Sequence, residues 1–285
     1  MSDEQTAIWN GESGRTWVDA QELLDRLMLP MGETVVEAVA PGSAWRVLDV
    51  GCGTGATTLA AARRLGSAGA AIGVDISSPM IDAARARAER EASLATFVCA
   101  DAQTHAFDSA GFDLILSRFG VMFFDDPPEA FANLQRAARD GAELRFIAWR
   151  GAGDNPFMTT AERAAAPLLP RVPGREPDAP GPFAFGDPER VRGILEASAW
   201  REVDVRPVDF DCTFPESQLV PYFTRFGPLG RVLHEADEPK RDQIIATVRR
   251  AFEPYVNGGE VRFTAACWLT SARAHRRNRR DASET

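Results

Sequence analysis

The sequence has few residues that could bind a metal ion or form a redox pair. It contains four cysteines and three histidines in 285 residues. Cys52, Cys99, Cys212 and Cys267 lie far apart and form no CxxC or Cys/His cluster, which argues against a zinc site or a catalytic disulfide. We therefore expect no metal, and we expect reduced, mostly buried thiols.

Long apolar runs and an excess of basic residues are also absent. No apolar stretch approaches the roughly 20 residues that span a bilayer, and the acidic, polar start MSDEQ lacks the features of a secretory signal. The 41 acidic residues outnumber the 32 basic ones, which disfavours a large nucleic-acid-binding surface. We expect a cytoplasmic monomer or homodimer that binds a small molecule, and neither membranes nor nucleic acid.

What the sequence does contain is an alternation of short apolar runs and longer helical patterns. This alternation is typical of a parallel sheet with crossover helices. The candidate strands are residues 46–50, 71–74, 96–99, 113–116, 143–148, 202–210 and 260–269.

The composition on either side of this core predicts the rest of a single domain. Residues 1–40 are predicted to form a helical cap, in which residues 12–40 carry an apolar helical pattern that is broken at Pro30 and predicts two helices. The proline-rich segment 151–186 predicts a lid without regular structure. The remaining parts are a core at 41–150, completing helices and strands at 187–272 with a substrate insertion at 213–237, and a basic tail at 273–285.

The segment VLDVGCGTGA, residues 47–56, ends a candidate strand in a cluster of glycines. Such a turn lets the backbone approach a nucleotide, and it fits both a GxGxG loop and the GxGxxA form of the dinucleotide fingerprint. Asp75, 24 residues after Gly51, fits the ribose acceptor of either type. The glycines alone therefore leave the kind of nucleotide open.

Three acidic residues favour one kind of nucleotide over the other. Asp49 lies inside the first strand, where a buried carboxylate favours a cation such as an α-ammonium group and repels a pyrophosphate. Asp75 ends the second strand and can accept both ribose hydroxyls, while Asp101 ends the third strand and can accept the adenine amino group. Together they favour an adenosine that carries an amino acid.

Four motifs, VLDVGCGTG, GVDISSPMIDAAR, CADAQTHAF and FDLILSRFGVMFF, follow one another between residues 47 and 124. In order and spacing they resemble the class I S-adenosylmethionine-dependent methyltransferases, in particular the bacterial small-molecule group that includes the ubiquinone and menaquinone C-methyltransferases. The resemblance implies a doubly wound α/β fold of the Rossmann-like methyltransferase type. Its seven-stranded sheet would be mostly parallel with the last strand antiparallel, under an N-terminal helical cap and lid insertions.

The same resemblance implies S-adenosylmethionine as cofactor and S-adenosylhomocysteine as product. Arg15, in the segment WNGESGRTW, would bind the carboxylate of the cofactor, and Ser117 would meet its amine through the backbone. The predicted cofactor-binding residues are Arg15, Asp49, Gly51, Cys52, Gly53, Asp75, Ile76, Met80, Asp101, Ala102 and Ser117.

Methyl transfer from a sulfonium needs no obligatory catalytic side chain, because the protein mainly holds donor and acceptor in line. Some acceptors still need a base, for which His234, His105 and Tyr222 are candidates; the alternative for each is an ordinary structural or solvated side chain. The predicted substrate-contacting residues are Arg118, Phe119, Met122, Tyr222 and Phe226. Arg118 would bind an anionic acceptor or pair with Asp125 or Asp126.

The function predicted from the sequence is transfer of a methyl group to an oxygen, nitrogen or activated carbon atom of a small, mostly apolar metabolite, mainly by proximity and desolvation. An NAD(P)-dependent oxidoreductase is one alternative. It lacks an evident Tyr/Lys pair, because Lys240 is the only lysine. A protein of the same fold that binds the cofactor without transferring methyl is the other alternative.

Overall fold

A computed structural model of the chain describes residues 3–169, 179–233 and 235–275. In this part of the chain, no helix is both long enough and apolar enough to cross a membrane. The four cysteines are free thiols, as expected; Cys52, Cys212 and Cys267 are buried, whereas Cys99 is exposed.

The centre of the fold is a sheet with the strand order β3-β2-β1-β4-β5-β8-β6. Strands β1 to β5 are parallel, and β8 is antiparallel to both of its neighbours, β5 and β6. The strands are β1 (Arg46–Val50), β2 (Ala70–Asp75), β3 (Thr96–Cys99), β4 (Phe112–Arg118), β5 (Ala138–Trp149), β6 (Trp200–Pro215), β7 (Val256–Asn257) and β8 (Glu260–Ala274). The seven strands in this order agree with the number predicted from the sequence. Strand β8 is the antiparallel last strand that was also predicted.

The short strand β7, which was not predicted, forms a hairpin with the start of β8. Strands β6 and β8 also extend beyond their predicted ends and pair with each other from Trp200 to Pro215. Because β8 continues to Ala274, the predicted start of the basic tail at residue 273 is wrong. Arg273 instead lies in the sheet, 3.2 Å from the carboxylate of Glu143 on β5. Residues 276–285 of that predicted tail lie outside the described residues.

Helices surround the sheet and cover its central strands. The helices are α1 (Asp3–Asn10), α2 (Glu12–Asp19), α3 (Gln21–Leu27), α4 (Leu29–Val36), α5 (Ala56–Leu65), α6 (Ser78–Arg90), α7 (Pro127–Ala137), α8 (Pro156–Ala165), α9 (Pro188–Ala197), α10 (Leu219–Arg225), α11 (Gly227–Leu233) and α12 (Glu238–Ala251). Covering both faces of a parallel strand buries it completely, which explains the continuous apolar run of β1. Asp49 is the exception in that strand, with 1% of its surface exposed.

Two sequence-based predictions about helices are wrong. Residues 12–40 contain three short helices, α2 to α4, instead of the predicted two, and α1 precedes them in the cap. Pro30 lies in the first turn of α4, where a proline costs no helical hydrogen bond. Within the proline-rich segment, α8 begins at Pro156 for the same reason, so this part of the predicted lid has regular structure. Residues 170–178 of the segment lie outside the described residues.

Candidate functional site

A cavity of about 910 Å³ opens at the carboxyl ends of β1, β2 and β4. Its floor contains Val50 to Thr54 after β1, Val74 to Ile76 after β2, and Arg118 to Gly120 after β4. The strand order reverses between β1 and β4, and open α/β sheets bind ligands in the crevice at such a switch point. Helices α1 to α3, α8, α10 and α11 and residues 179–184 form the other walls.

The glycine loop after β1 has the shape that the sequence predicts, and two of its glycines serve different purposes. Gly51 has a φ of +67°, and a Cβ there would lie 2.5 Å from the Cα of Gly120, so the β1 and β4 loops can meet only without a side chain. Gly53 has a φ of +54° and lines the cavity, where a Cβ would find only the Sδ of Met80 nearby, at 3.8 Å. The loop therefore presents bare backbone to a ligand.

Asp75 links this loop to the end of β2. One carboxylate oxygen accepts a hydrogen bond from the N–H of Gly53 at 2.8 Å, and the other accepts one from the N–H of Ser77 at 2.9 Å. Burial raises the pKa of Asp75, and these backbone hydrogen bonds oppose the shift. A carboxylate has about four acceptor positions, so two remain for a pair of hydroxyls in the cavity.

Asp49 lies beneath the loop, enclosed by the sheet and α5. One oxygen accepts a hydrogen bond from the hydroxyl of Thr58 at 2.6 Å; the other has no partner among the described residues. Burial raises the pKa of Asp49 to about 7, against the opposing effects of the Thr58 hydrogen bond and the positive charge of Arg118. A cation bound above this carboxylate would favour its charged form.

Part of the cavity wall is aromatic. Phe119 and Trp149 stack with ring centroids 4.3 Å apart, and Phe157 and Phe263 stack at 3.9 Å. Tyr222 packs against Phe157, with ring centroids 5.5 Å apart. All of these residues line the cavity. This aromatic part of the cavity wall can therefore enclose an apolar or planar molecule next to the glycine loop.

Comparisons with known proteins agree with this geometry. Residues 47–141 match the methyltransferase domain family. Within this segment the chain is thus similar to known methyltransferases. It is similar to aklanonic acid methyltransferase DauC of Streptomyces, at 35% identity over 146 residues, which are 50% of this chain and 64% of that protein. The similarity thus covers less than two thirds of the relative's length.

Two further relatives are also methyltransferases. Nocamycin O-methyltransferase of Saccharothrix syringae is 29% identical over 82% of this chain and 87% of its own length. Demethylmenaquinone methyltransferase of Roseiflexus is 29% identical over 61% of this chain and 76% of its own length. The predicted resemblance to this class and to quinone methyltransferases is confirmed.

A solved structure confirms the predicted Rossmann-like methyltransferase fold. Phosphoethanolamine N-methyltransferase 2 of Haemonchus contortus, determined in complex with S-adenosyl-L-methionine, superposes with a TM-score of 0.60 at 16% identity. The superposition covers 97% of this chain and 61% of that one. At this identity the likeness supports the fold alone.

Seven of the predicted cofactor-binding residues line the cavity: Gly51, Cys52, Gly53, Asp75, Ile76, Met80 and Ala102. The other four, Arg15, Asp49, Asp101 and Ser117, are not part of its described wall. The cofactor contacts of all eleven residues remain predictions.

The residues away from the wall hold the loops or face solvent. The Ser117 hydroxyl donates to the carbonyl of Val50 at 2.8 Å and accepts from the N–H of Gly120 at 3.1 Å, which joins the ends of β1 and β4. Asp101 accepts a hydrogen bond from the N–H of Gln103 at 2.9 Å. Arg15 is exposed on α2. We therefore expect Ser117 and Asp101 to shape the site at least in part through the backbone.

The predicted substrate residues Arg118, Phe119, Met122, Tyr222 and Phe226 all line the cavity, although their contact with a substrate is still a prediction. The alternative ion pair of Arg118 with Asp125 or Asp126 does not form. The guanidinium instead donates to the carbonyl of Met28 at 3.4 Å.

Of the candidate bases, Tyr222 alone is placed in the described wall. His105 packs edge to face on Phe107 at 4.7 Å and does not line the cavity. His234 lies outside the described residues. Within the described part of the chain, no group of three or more His, Cys, Asp or Glu side chains is placed to hold a metal ion.

The sequence-based prediction missed several wall residues. Phe157 on α8, Phe263 on β8 and Trp17 on α2 line the cavity, yet none of them was among the predicted site residues. Trp17 carried the clearest signal, since it belongs to the segment WNGESGRTW that was assigned to the cap over the cofactor.

Proposed function

We propose that this chain transfers the methyl group of S-adenosylmethionine to an oxygen atom of a small, mostly apolar metabolite. The observation that carries the proposal is a single cavity whose wall combines the glycine loop and Asp75 with a set of aromatic rings. Nocamycin O-methyltransferase, which is similar over most of the chain, supports oxygen as the acceptor atom. Nitrogen and an activated carbon atom are the other outcomes of the test below.

The residues at the glycine loop fit this cofactor. The bare backbone of Gly53 leaves room for a ligand, and Asp75 retains acceptor positions for two ribose hydroxyls. Ile76, Met80 and Ala102 would offer an apolar surface to the adenine, while the unpaired oxygen of buried Asp49 would favour a nearby ammonium group. When bound, the cofactor supplies the methyl group on a positively charged sulfur.

The chain itself contributes orientation and the exclusion of water. Trp9 on α1 packs edge to face against Phe123 at 5.1 Å and against Trp17 at 5.9 Å, and Trp17 reaches Phe226 at 6.1 Å. These contacts join the N-terminal cap to the β4 loop and to the segment between α10 and α11. An acceptor oxygen enclosed beneath them loses competing water and is held beside the transferred methyl.

An acceptor hydroxyl also loses a proton during the transfer. Tyr222 lies on the aromatic wall, and its side chain in the ionised phenolate form is the candidate within the described part of the cavity for accepting that proton. An acceptor that already carries a carboxylate needs no such base. A Tyr222→Phe variant separates these cases: the maximal rate falls only for acceptors that must be deprotonated.

Binding and turnover test the proposal in two steps. We expect S-adenosylhomocysteine to raise the thermal unfolding midpoint and NADPH to leave it unchanged. A shift with NADPH and none with either form of the methyl cofactor would support the oxidoreductase alternative and overturn the proposal.

The second step uses S-adenosylmethionine labelled in the methyl group and a panel of apolar phenols, carboxylic acids, amines and quinols. We expect label in the O-methyl products, with an Asp75→Ala variant as the negative control. Label only in N-methyl or C-methyl products would correct the acceptor atom. Tight cofactor binding without transfer to any class would support a protein that does not methylate.

A further inference from the structure

Arg118, the last residue of β4, lies between the glycine loop and the N-terminal cap. Its side chain passes close to Gly32 on α4, where a Cβ would lie 3.5 Å from the guanidinium nitrogen Nη1. That nitrogen donates to the carbonyl of Met28 at 3.4 Å, which is a long hydrogen bond. The guanidinium of Arg118 thus lies against the start of α4 at the cavity wall.

The two acidic residues whose charges act on Arg118 are already engaged by other donors. Asp25 on α3 accepts hydrogen bonds from Arg87 at 2.5 Å and from Gln21 at 3.3 Å. Asp49 accepts one from Thr58. In the described part of the chain no carboxylate forms an ion pair with Arg118, although a buried guanidinium is costly without an anionic partner.

We propose that the guanidinium of Arg118 binds the carboxylate of the amino-acid part of the cofactor. The inference rests on the function proposed above, and it replaces the sequence-based assignment of this role to Arg15. A guanidinium offers a planar pair of donors that matches both oxygens of a carboxylate.

The position of Arg118 supports the assignment. The Ser117 hydroxyl bonds to the carbonyl of Val50, so Arg118 directly flanks the start of the glycine loop. On the other side of the loop, Asp75 marks the place of the ribose. The amino-acid part of the ligand would extend from the ribose along Gly51 and Cys52 toward the space beneath α3, where Arg118 and Asp25 line the wall.

The charges around this space match a zwitterion. Asp49, with an unpaired oxygen, faces the same region from β1 and would favour the ammonium group, while Arg118 would hold the carboxylate. The acidic groups near Arg118 also explain why a free anion of higher charge, such as a phosphate, would be a poor occupant. Arg15, by contrast, is exposed on α2 and does not line the cavity.

Two ligands that differ only in the carboxylate test the proposal. S-adenosylhomocysteine carries it, and S-adenosyl-3-thiopropylamine retains the adenosine, the thioether and the amine but lacks it. Binding of both is measured by calorimetry in the absence of any acceptor, so a role of Arg118 in acceptor binding would leave both affinities unchanged.

For Arg118→Gln we expect the dissociation constant of S-adenosylhomocysteine to rise about 10- to 100-fold, since a charge-assisted pair is lost. The affinity for the amine should change by less than about threefold. Arg118→Lys keeps the charge without the planar donor pair and should give an intermediate, carboxylate-specific loss. Arg262→Gln, which removes an exposed arginine of β8 paired with Glu260, serves as the matched control and should change neither affinity.

Three results would overturn the inference. An equal loss for both ligands would mean that Arg118 acts through Asp49 or through the fold. Unchanged affinities in Arg118→Gln, or a carboxylate-specific loss in Arg15→Gln instead, would return the role to another residue. If the unaltered protein binds neither ligand, the proposed function falls as well, and that result is distinct from the other three.

Discussion

The buried carboxylate of Asp49 should make the stability of the ligand-free protein depend on pH in a calculable way. Burial raises the pKa of this group from 3.8 to about 7, so the folded protein retains a proton that the unfolded chain has released in this interval. Raising the pH through the interval therefore favours unfolding. Each pH unit costs about 1.4 kcal/mol, which gives about 4 kcal/mol across the interval.

The matched variant is Asp49→Asn, which has nearly the same shape, can still accept the hydrogen bond of Thr58 and does not ionise. Urea unfolding of both proteins at several pH values gives two curves whose difference removes the contribution of every other titrating group. We expect the free energy of unfolding of the unaltered protein, relative to the variant, to fall by about 3 kcal/mol between about pH 5 and pH 7 and to level off above that.

A difference that stays flat between these pH values would refute the reasoning, because it would mean that Asp49 ionises as easily in the folded protein as in the unfolded chain. The groups that oppose the raised pKa are Thr58 and Arg118, whereas the negative charge of Asp75 adds to it. A flat curve would therefore show that the two opposing contacts outweigh the cost of burial.

Three other substitutions test the framework of the site. Asp75→Ala removes the acceptor of two backbone N–H groups and of the expected ribose hydroxyls; it should weaken S-adenosylhomocysteine binding by about 1.5–3 kcal/mol for each lost charge-assisted bond, measured by calorimetry. Gly51→Ala should destabilise the protein by more than about 2 kcal/mol in urea unfolding, because φ is positive and the new Cβ would meet the backbone of Gly120. Asn155→Ala should cost about 2–4 kcal/mol in the same assay, since the buried amide exchanges two hydrogen bonds of 2.9 Å with the backbone of Ala266. Unchanged affinity in the first case, or unchanged stability in the other two, would contradict the assigned contacts.

The cofactor end of the site was more predictable from the sequence than the acceptor end, for a physical reason. The glycines and Asp75 lie within one strand-turn-helix unit and the strand that follows it, so local spacing determines their arrangement. The strand at 46–50 was predicted at its observed bounds because it is buried on both faces and reads as a continuous apolar run.

The acceptor end depends on contacts between distant segments, which local patterns do not record. Phe157 and Phe263 are 106 positions apart in the chain and meet only after α8 packs near β8. The boundary between α2 and α3 at Ala20 carries neither glycine nor proline, so the sequence offered no signal for a third helix between residues 12 and 40. Placement of Arg118 against Met28 likewise requires the cap to be docked on the sheet.

The position of β8 in the sheet has a consequence for how the protein folds and how its specificity can diverge. Residues 260–274 follow β6 in the chain, yet they lie between β5 and β6, so β6 has no partner in the described sheet until they have been synthesised. Strands β1 to β5 can pair before that moment, whereas the wall that includes Phe263 cannot form. The nucleotide end and the acceptor end are thus assembled at different times and from different strands. Substitutions in the later strands can therefore reshape the acceptor pocket, while the strands of the nucleotide end keep their pairing partners.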